Sequence, residues 1–204
     1  MPSAPDEARG GGRREDLLAA AARRFVSVGI RKTTMEDIAR EARAGKATLY
    51  RHFSNKDDLI DALLVREAAR FQRRLARAAE DADGALAAVQ AAFVAGVRYF
   101  IEHPVLTKGR DEEPALLLER VTAQRGPMVE TGLDWFAGLI ARGVAAGEVR
   151  PVDPRAAAEV IMRLILSYFT FPPMVIRMED DDEAQGLARA LVGGLRPDRH
   201  PVEF

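Results

Sequence analysis

The chain has 204 residues, of which 48% are hydrophobic and 30% are charged, and its formal net charge is −1. This length allows one large domain or two small ones, and the hydrophobic content is ample for a buried core. The sequence has no cysteine, which excludes disulfides and thiolate metal sites and fits a cytoplasmic protein. Residues 1–15 are polar and charged, and no run approaches the roughly 18 apolar residues of a membrane span. We therefore expect neither a secretory signal nor a membrane partner.

The charge is divided unevenly along the chain. Residues 1–56 contain 12 Lys and Arg against 7 Asp and Glu, a net charge of +5, whereas the remaining residues contain 18 against 24, a net charge of −6. A basic N-terminal segment on an acidic remainder concentrates the attraction for phosphate in one place. Such an asymmetry also arises by chance in soluble proteins. It supports nucleic-acid binding only in combination with a DNA-binding motif.

The N-terminal elements are predicted in the following order. Residues 1–12 combine Pro, Gly and charge without periodicity and are expected to form a flexible arm. Segment 13–28 has apolar residues at helical spacing, and Gly29 is suited to end that helix. In the next helix, Thr33 would be the N-cap and Glu36 would complete a capping box.

A second short helix is predicted to begin near Lys46, after the break formed by residues 43–45. Leu49 and Phe53 are four residues apart and point to one side of it. The outward face consists of Lys46, Ala47, Tyr50 and Arg51. A short helix tethered behind another, with such a face outward, is the geometry of a helix-turn-helix in a major groove. The alternative is an ordinary solvated helix face, on which an outward Tyr is less common.

The segment resembles the DNA-binding signature of the TetR family of bacterial regulators. The matching residues are Thr33-Thr34, Asp37-Ile38-Ala39, Thr48-Leu49-Tyr50, His52-Phe53 and Asn55-Lys56. Two positions depart from the pattern, since Arg43 replaces the usual glycine of the turn and Gly45 replaces the usual Ser or Thr cap. A non-glycine residue in the left-handed conformation costs on the order of 1 kcal/mol.

This resemblance implies roles for the residues of the motif. The bases would be contacted by the outward face of the second short helix, namely Lys46, Ala47, Tyr50 and Arg51. The phosphates would be held by Thr33, Thr34, Tyr50, His52 and Lys56, and Thr48 completes the DNA-binding set. It also implies an all-α fold of about nine helices. We place the helix-turn-helix domain at 13–56, a helical ligand-binding and dimerisation domain at 57–195, and a tail at 196–204.

The helical domain contains two candidate binding surfaces. Its aromatic and aliphatic residues at helical spacing are ordinary core by default, but the resemblance implies a pocket for a small-molecule effector. The candidate lining residues are Phe93, Val97, Phe100, Trp135, Phe136, Leu139 and Tyr168. The segment 160–169 is apolar on too many sides for a surface helix, and the resemblance implies a homodimer through this helix and the last one. The candidate dimer residues are Leu164, Tyr168, Leu187 and Leu191.

The sequence and the resemblance therefore predict a repressor that binds palindromic double-stranded operator DNA as a homodimer and is released by a small lipophilic effector. Two alternatives stay open, namely a nonspecific nucleic-acid-binding architectural protein and a helical enzyme. The enzyme is disfavoured because no HExxH, GxSxG or P-loop pattern is present. No metal-ligand spacing and no cofactor motif are found, so we expect neither group.

Overall fold

The computed structural model describes residues 6–122, 126–171 and 174–197, and within them every regular element is an α-helix. This confirms the predicted all-α class, and the described residues form ten helices in place of about nine. The helices are α1 (Asp6–Val28), α2 (Met35–Glu41), α3 (Lys46–His52), α4 (Lys56–Ala79), α5 (Gly84–Glu102), α6 (Pro104–Glu112), α7 (Pro114–Thr122), α8 (Pro127–Ala145), α9 (Pro154–Thr170) and α10 (Asp181–Gly193).

The chain divides into two compact units. The first contains the residues up to Arg66 together with Pro104–Arg120, so α6 and most of α7 belong with the helix-turn-helix. Within this unit α1 packs on both α2 and α6. Its largest fully buried side chains are Leu17, Leu18, Phe25, Ile38, Leu49, Phe53 and Leu59. The side of α3 that carries Leu49 is therefore fixed, and its opposite face is left to solvent.

The second unit contains Glu67–His103 and the chain from Val121 onward. Here α8 and α9 pack against each other, and α5 packs against α8, α9 and α10. The close approach of α8 to α9 depends on Gly132, because a Cβ there would collide with the sulfur of Met162. The core is aromatic, with Phe71, Phe93, Phe100, Phe136 and Phe169 all fully buried.

Two predictions made for individual helices need correction. α1 begins at Asp6, so residues 6–12 of the expected flexible arm are helical. α6 was missed because Pro104 was taken as a terminator, whereas proline is well suited to the first turn of a new helix. Among the described helices, α5 is long and apolar enough to cross a membrane by length and composition alone. Most of α5 is buried inside the unit, as in the core helix of a soluble protein.

Two further predicted segments fall partly outside the described part of the chain. Of the arm, residues 1–5 lie outside it, and of the tail, residues 198–204 lie outside it.

Candidate nucleic-acid interface

The start of α2 is held by a capping box one residue later than predicted. The N-cap is Thr34, whose hydroxyl accepts from the Asp37 amide at 3.1 Å, and the Asp37 carboxylate accepts from the Thr34 amide at 3.1 Å. The Thr34 hydroxyl also donates to the Asp37 carboxylate at 2.7 Å, and this bond, together with the one from the Thr34 amide, lowers the pKa of Asp37. Thr33 is instead buried, and its hydroxyl donates to the Gly29 carbonyl at 2.7 Å. The prediction that Thr33 and Glu36 form the box was wrong because two adjacent threonines offer two registers.

The turn between α2 and α3 is a Schellman motif built on Arg43. The Ala44 amide donates to the Ala39 carbonyl at 2.8 Å and the Arg43 amide to the Arg40 carbonyl at 3.0 Å. Arg43 has a φ of +50°, the only positive value among the non-glycine residues described. The left-handed strain expected from the sequence is therefore present. Gly45 follows as the N-cap of α3 without a side-chain bond, as expected for glycine.

The two faces of α3 lie as predicted. Leu49 and Phe53 are buried against the first unit. Tyr50 is 47% exposed, an unusual position for a large aromatic side chain. The same outward face carries the exposed residues Lys46, Ala47 and Arg51, with Thr48 half-buried beside them. Solvent therefore reaches a surface of one aromatic and two cationic side chains on a helix held rigidly from behind.

An ion pair links the two helices of the motif. Lys46 Nζ on α3 lies 2.7 Å from Glu36 Oε1 on α2. The hydrogen bond between them raises the pKa of Lys46 and lowers the pKa of Glu36. Both side chains are largely exposed, so the pair orients Lys46 more than it stabilises the fold.

The predicted phosphate-binding residues differ in their surroundings. Thr34 is exposed beside its capping bonds, whereas Thr33 is buried. Lys56 is half-buried, and its Nζ donates to the carbonyl of Thr33 at 2.9 Å and of Arg31 at 3.3 Å. His52 is half-buried as well. The two bonds of Lys56 join the start of α4 to the turn before α2.

Two arginines from α1 extend the basic surface around His52. The Arg14 guanidinium lies over the Phe53 ring, 5.2 Å from its centroid, and an Arg13 nitrogen donates to the Arg43 carbonyl at 2.9 Å. Burial lowers the pKa of His52, and the nearby charges of Arg51, Arg14 and Arg13 lower it further. Its Nε2 is buried without a hydrogen-bond partner among the described residues. Burial and these charges therefore favour the neutral form of His52.

The candidate effector-pocket residues lie in the core of the second unit. Phe93, Val97, Phe100, Phe136 and Leu139 are buried, and Trp135 and Tyr168 are half-buried. Phe100 packs on Phe71 and on Phe169, each at 5.5 Å between ring centroids. Burial raises the pKa of Tyr168. A pocket role for this set stays a prediction.

The candidate dimer residues lie on α9 and α10 at the surface of the second unit. Leu164 is exposed, whereas Tyr168, Leu187 and Leu191 are half-buried. The sequence analysis missed the exposed residues Phe171, Met174 and Val175, which follow α9. The sequence offered a sign of them, because its apolar residues continue past the end of α9.

A buried carboxylate in the second unit was also missed. Glu67 is 1% exposed, and its Oε2 accepts from the Tyr99 hydroxyl at 3.0 Å and lies 3.1 Å from His103 Nε2. Arg70 lies 3.1 Å from Oε1 of the same group. Its helical spacing from Leu63 and Phe71 places Glu67 on the apolar face of α4, where a buried acid needs such partners. Among the described residues, no group of three or more His, Asp or Glu is arranged to hold a metal ion.

Comparison with known proteins agrees with this geometry. Residues 17–63 match the family model described as bacterial regulatory proteins, tetR family. The transcriptional regulator YhgD of Bacillus subtilis, itself uncharacterized, is 26% identical over 155 residues, covering 76% of this chain and 81% of the relative.

Two solved structures share the fold. The TetR family repressor AlkX of a Dietzia strain, implicated in the biodegradation of n-alkanes, has a TM-score of 0.63 at 21% identity, covering 88% of this chain and 93% of AlkX. AibR in complex with isovaleryl coenzyme A and operator DNA has a TM-score of 0.57 at 21% identity, covering 87% of this chain and 97% of AibR.

Proposed function

We propose that this chain, which belongs to the TetR family of bacterial transcriptional regulators, is a repressor that binds palindromic operator DNA as a homodimer and is released by a small lipophilic effector. Its relatives and its fold are those of regulators and not of enzymes. A DNA-binding repressor acts where the chromosome is, so we place the protein in the cytoplasm. The observation that carries the proposal is the outward face of α3, with Tyr50 exposed between cationic residues.

The proposed base contacts come from Lys46, Ala47, Tyr50 and Arg51. Arg51 can bind guanine through two parallel hydrogen bonds, and the Ala47 methyl suits the thymine methyl group. Each good base-reading pair contributes about 1–3 kcal/mol of discrimination. Four such residues on one protomer give limited discrimination between sequences. Two protomers on a palindrome double the free energy of discrimination.

The proposed phosphate contacts fix the register of α3 on the duplex. Thr34, Thr48, Tyr50 and His52 offer hydroxyl or imidazole groups at the edge of the exposed face. Lys56 has a third ammonium donor beyond the two carbonyl bonds that it makes. Thr33 contributes indirectly, because its buried hydroxyl bond locks the turn that carries the contacts.

The homodimer would form through α9 and α10. Val160 and Leu164 are exposed on the face of α9 opposite its buried residues, and Leu187 and Leu191 are only half-buried on α10. Apolar residues left accessible to solvent on neighbouring turns of a helix are typical of a protein interface. A two-fold axis through this contact would match the two-fold symmetry of a palindromic operator.

The effector would bind among the apolar residues of the second unit and act through α4. This helix contributes residues to both units, since the boundary lies between Arg66 and Glu67. An effector that favours one conformation of the second unit would change the spacing of the two helix-turn-helix motifs, with a coupling of about 1–3 kcal/mol. A lipophilic class is supported by the apolar candidate lining and by the neighbour AlkX, which is implicated in the biodegradation of n-alkanes.

The proposal is tested by recovering genomic fragments bound by the purified protein and mapping the protected bases. We expect one short palindrome, protected on both half-sites by the wild type and not by Tyr50→Ala at the same concentration. Uniform protection without a shared sequence would instead support a nonspecific architectural protein.

A further inference from the structure

The turn between α1 and α2 is held by two side chains from distant parts of the first unit. The Arg31 amide donates to the Glu113 carboxylate at 2.5 Å, although these residues lie 82 positions apart in the chain. The Arg31 carbonyl accepts from Lys56 Nζ at 3.3 Å. Both backbone polar groups of Arg31 are therefore bonded to side chains outside the turn, which fix the turn between Glu113 and Lys56.

Glu113 has a well-defined position of its own, because it lies at the junction of α6 and α7. Its amide donates to the Gly109 carbonyl at 2.8 Å, and its carbonyl accepts from the Leu117 amide at 3.1 Å. The backbone of Glu113 thus belongs both to the end of α6 and to the start of α7. The residue is half-buried, so its side chain is restricted as well.

The end of α6 lies directly against the turn. Gly29 has a φ of +90°, and a Cβ at this position would collide with the Glu112 carboxylate. The next residue, Ile30, is buried, and a Cβ on Gly109 would lie 3.5 Å from its Cδ1. The turn therefore packs closely on α6 in addition to its bond with Glu113.

The other end of α7 is bonded to the start of α4. The Arg120 guanidinium donates to the Asp61 carboxylate and, at 2.6 Å, to the Asp57 carboxylate. Asp57 directly follows Lys56, and Arg120 lies in the last turn of the nine-residue helix that Glu113 precedes. One short helix thus holds both the turn before α2 and the segment that carries Lys56.

A carboxylate at this place has an electrostatic cost for DNA binding. Thr34 and Lys56 are proposed phosphate contacts, and Lys56 Nζ lies 2.9 Å from the Thr33 carbonyl, so the two contacts adjoin. A negative charge close to them repels phosphate. If Glu113 acted through its charge alone, removing the charge would tighten DNA binding. If it acts through its bond to the turn, breaking that bond would weaken binding.

We propose that Glu113 is a positioning residue for these phosphate contacts, an inference that rests on the DNA-binding function proposed above. By holding the Arg31 amide, Glu113 fixes the turn whose carbonyls orient Lys56 and which places Thr34 at the start of α2. Glu113 itself does not touch DNA. Loss of its bond releases the turn and removes about one phosphate contact per protomer, while the base-contacting face of α3 stays in place.

Three substitutions of Glu113 separate its bond from its charge. Glu113→Ala removes both, Glu113→Asp keeps the charge but is one methylene too short, and Glu113→Gln keeps an acceptor oxygen without the charge. We expect the Ala and Asp variants to bind the operator about thirtyfold more weakly at about 0.15 M salt. The reason is that each lost phosphate contact lowers the salt slope by about 0.9, and a homodimer loses two.

The Gln variant should bind within about threefold of the wild type. Asp is a favoured N-cap before a first-turn proline, so Glu113→Asp retains α7 and carries the test if Glu113→Ala does not fold. Binding by Glu113→Asp as tight as that of the wild type would overturn the positioning role. Binding by Glu113→Gln as weak as that of Glu113→Asp would overturn it as well.

The salt dependence distinguishes positioning from a general loss of structure. In the Ala and Asp variants, the slope of the logarithm of Kd against the logarithm of salt concentration should fall by about two. The ratio of operator to random-DNA affinity should stay within about twofold of the wild type, because phosphate contacts carry no sequence information. Weaker binding with an unchanged slope would contradict the proposal.

Glu119→Ala is the matched control, because it removes the same charge from an exposed position of α7. We expect this variant to keep the salt slope of the wild type and to bind DNA at least as tightly. If Glu113→Ala tightens binding to the same extent as Glu119→Ala, the effect of Glu113 is one of charge alone and the positioning role is wrong.

Amide hydrogen exchange measures the bond without DNA. We expect the Arg31 amide to exchange at least about tenfold faster in Glu113→Ala and Glu113→Asp than in the wild type, and within about threefold of it in Glu113→Gln. An Arg31 amide that exchanges equally fast in all four proteins would overturn the inference. A wild type that shows this protection but no operator preference would instead overturn the proposed function, and the positioning role with it, while leaving the bond in place.

Discussion

The ammonium of Lys46 lies 2.7 Å from the carboxylate of Glu36, and this pair connects the two helices of the helix-turn-helix on its exposed side. A lysine proposed to contact bases is therefore already held by an acid on the preceding helix. The pair has two opposite effects on DNA binding. It orients the lysine, and it places a negative charge near the phosphates.

Glu36→Gln should separate these two effects. We expect tighter binding to random DNA, on the order of threefold at low salt, because one repulsive charge is lost. Preference at the base contacted by Lys46 should relax, since the lysine is no longer oriented. Competition binding with single-base operator variants measures both quantities.

Glu41→Gln is the matched control, because it removes the same charge from the same helix while Glu41 pairs with Arg23 instead. If both variants relax the operator preference equally, the Lys46–Glu36 pair has no specific orienting role.

Arg43→Gly should stabilise the fold. Arg43 occupies the left-handed position of a Schellman motif at φ +50°, which favours glycine by about 1 kcal/mol. Urea denaturation should therefore give a higher free energy of unfolding for Arg43→Gly, whereas Arg43→Ala, which keeps the strain, should gain nothing. Equal stability of the glycine and alanine variants would show that the turn is not strained.

His52 should make stability depend on pH. Burial and three nearby arginines lower the pKa of His52 below its usual value of 6.5, so the folded protein binds this proton less readily than the unfolded chain. The stability that the neutral, buried His52 gives to the folded state is fully present above pH 6.5. It is lost as the pH falls from 6.5 towards the lower pKa of the folded state, because protons then favour the unfolded chain.

The measurement is the free energy of unfolding of the wild type and of His52→Gln at pH 7.5, 6.5 and 5.5. We expect the wild type to lose more stability than the variant over this range. Identical pH profiles for the two proteins would contradict the assigned shift.

The sequence predicted best those structural features that depend on residues close to each other in the chain. The outward face of α3 follows from spacing within a few residues, and the positive φ of Arg43 was implied by the family resemblance, in which glycine usually stands at that position. The capping register was missed by one residue because Thr33 and Thr34 have the same capping chemistry. Only the buried bond from Thr33 to the Gly29 carbonyl decides between them.

Features that depend on distant residues were not predictable in the same way. The partners of Glu67 include Tyr99 and His103, which lie on or next to another helix. The grouping of α6 with the helix-turn-helix unit likewise depends on its packing against α1. The bond between Glu113 and the Arg31 amide joins residues 82 positions apart in the sequence, and no local pattern encodes that contact.

Trp135 should report effector binding. It is the only tryptophan in the chain, and it lies edge-on to the buried Phe136 at 5.1 Å between ring centroids. Titration with a medium-chain fatty acid or with isovaleryl coenzyme A should change its fluorescence, and the same compound should weaken operator binding. Glucose and inorganic phosphate serve as polar controls. If only the polar compounds release DNA, the prediction of an apolar effector pocket is wrong.

The central claim is sequence-specific binding through α3, and the ratio of dissociation constants for the selected operator and a scrambled duplex tests it most directly. At physiological salt, we expect the wild-type homodimer to prefer the operator by about a thousandfold or more. Tyr50→Ala should lose on the order of tenfold of that ratio while its thermal unfolding is unchanged. A wild-type ratio near one, or an unaltered ratio in Tyr50→Ala, would contradict the account.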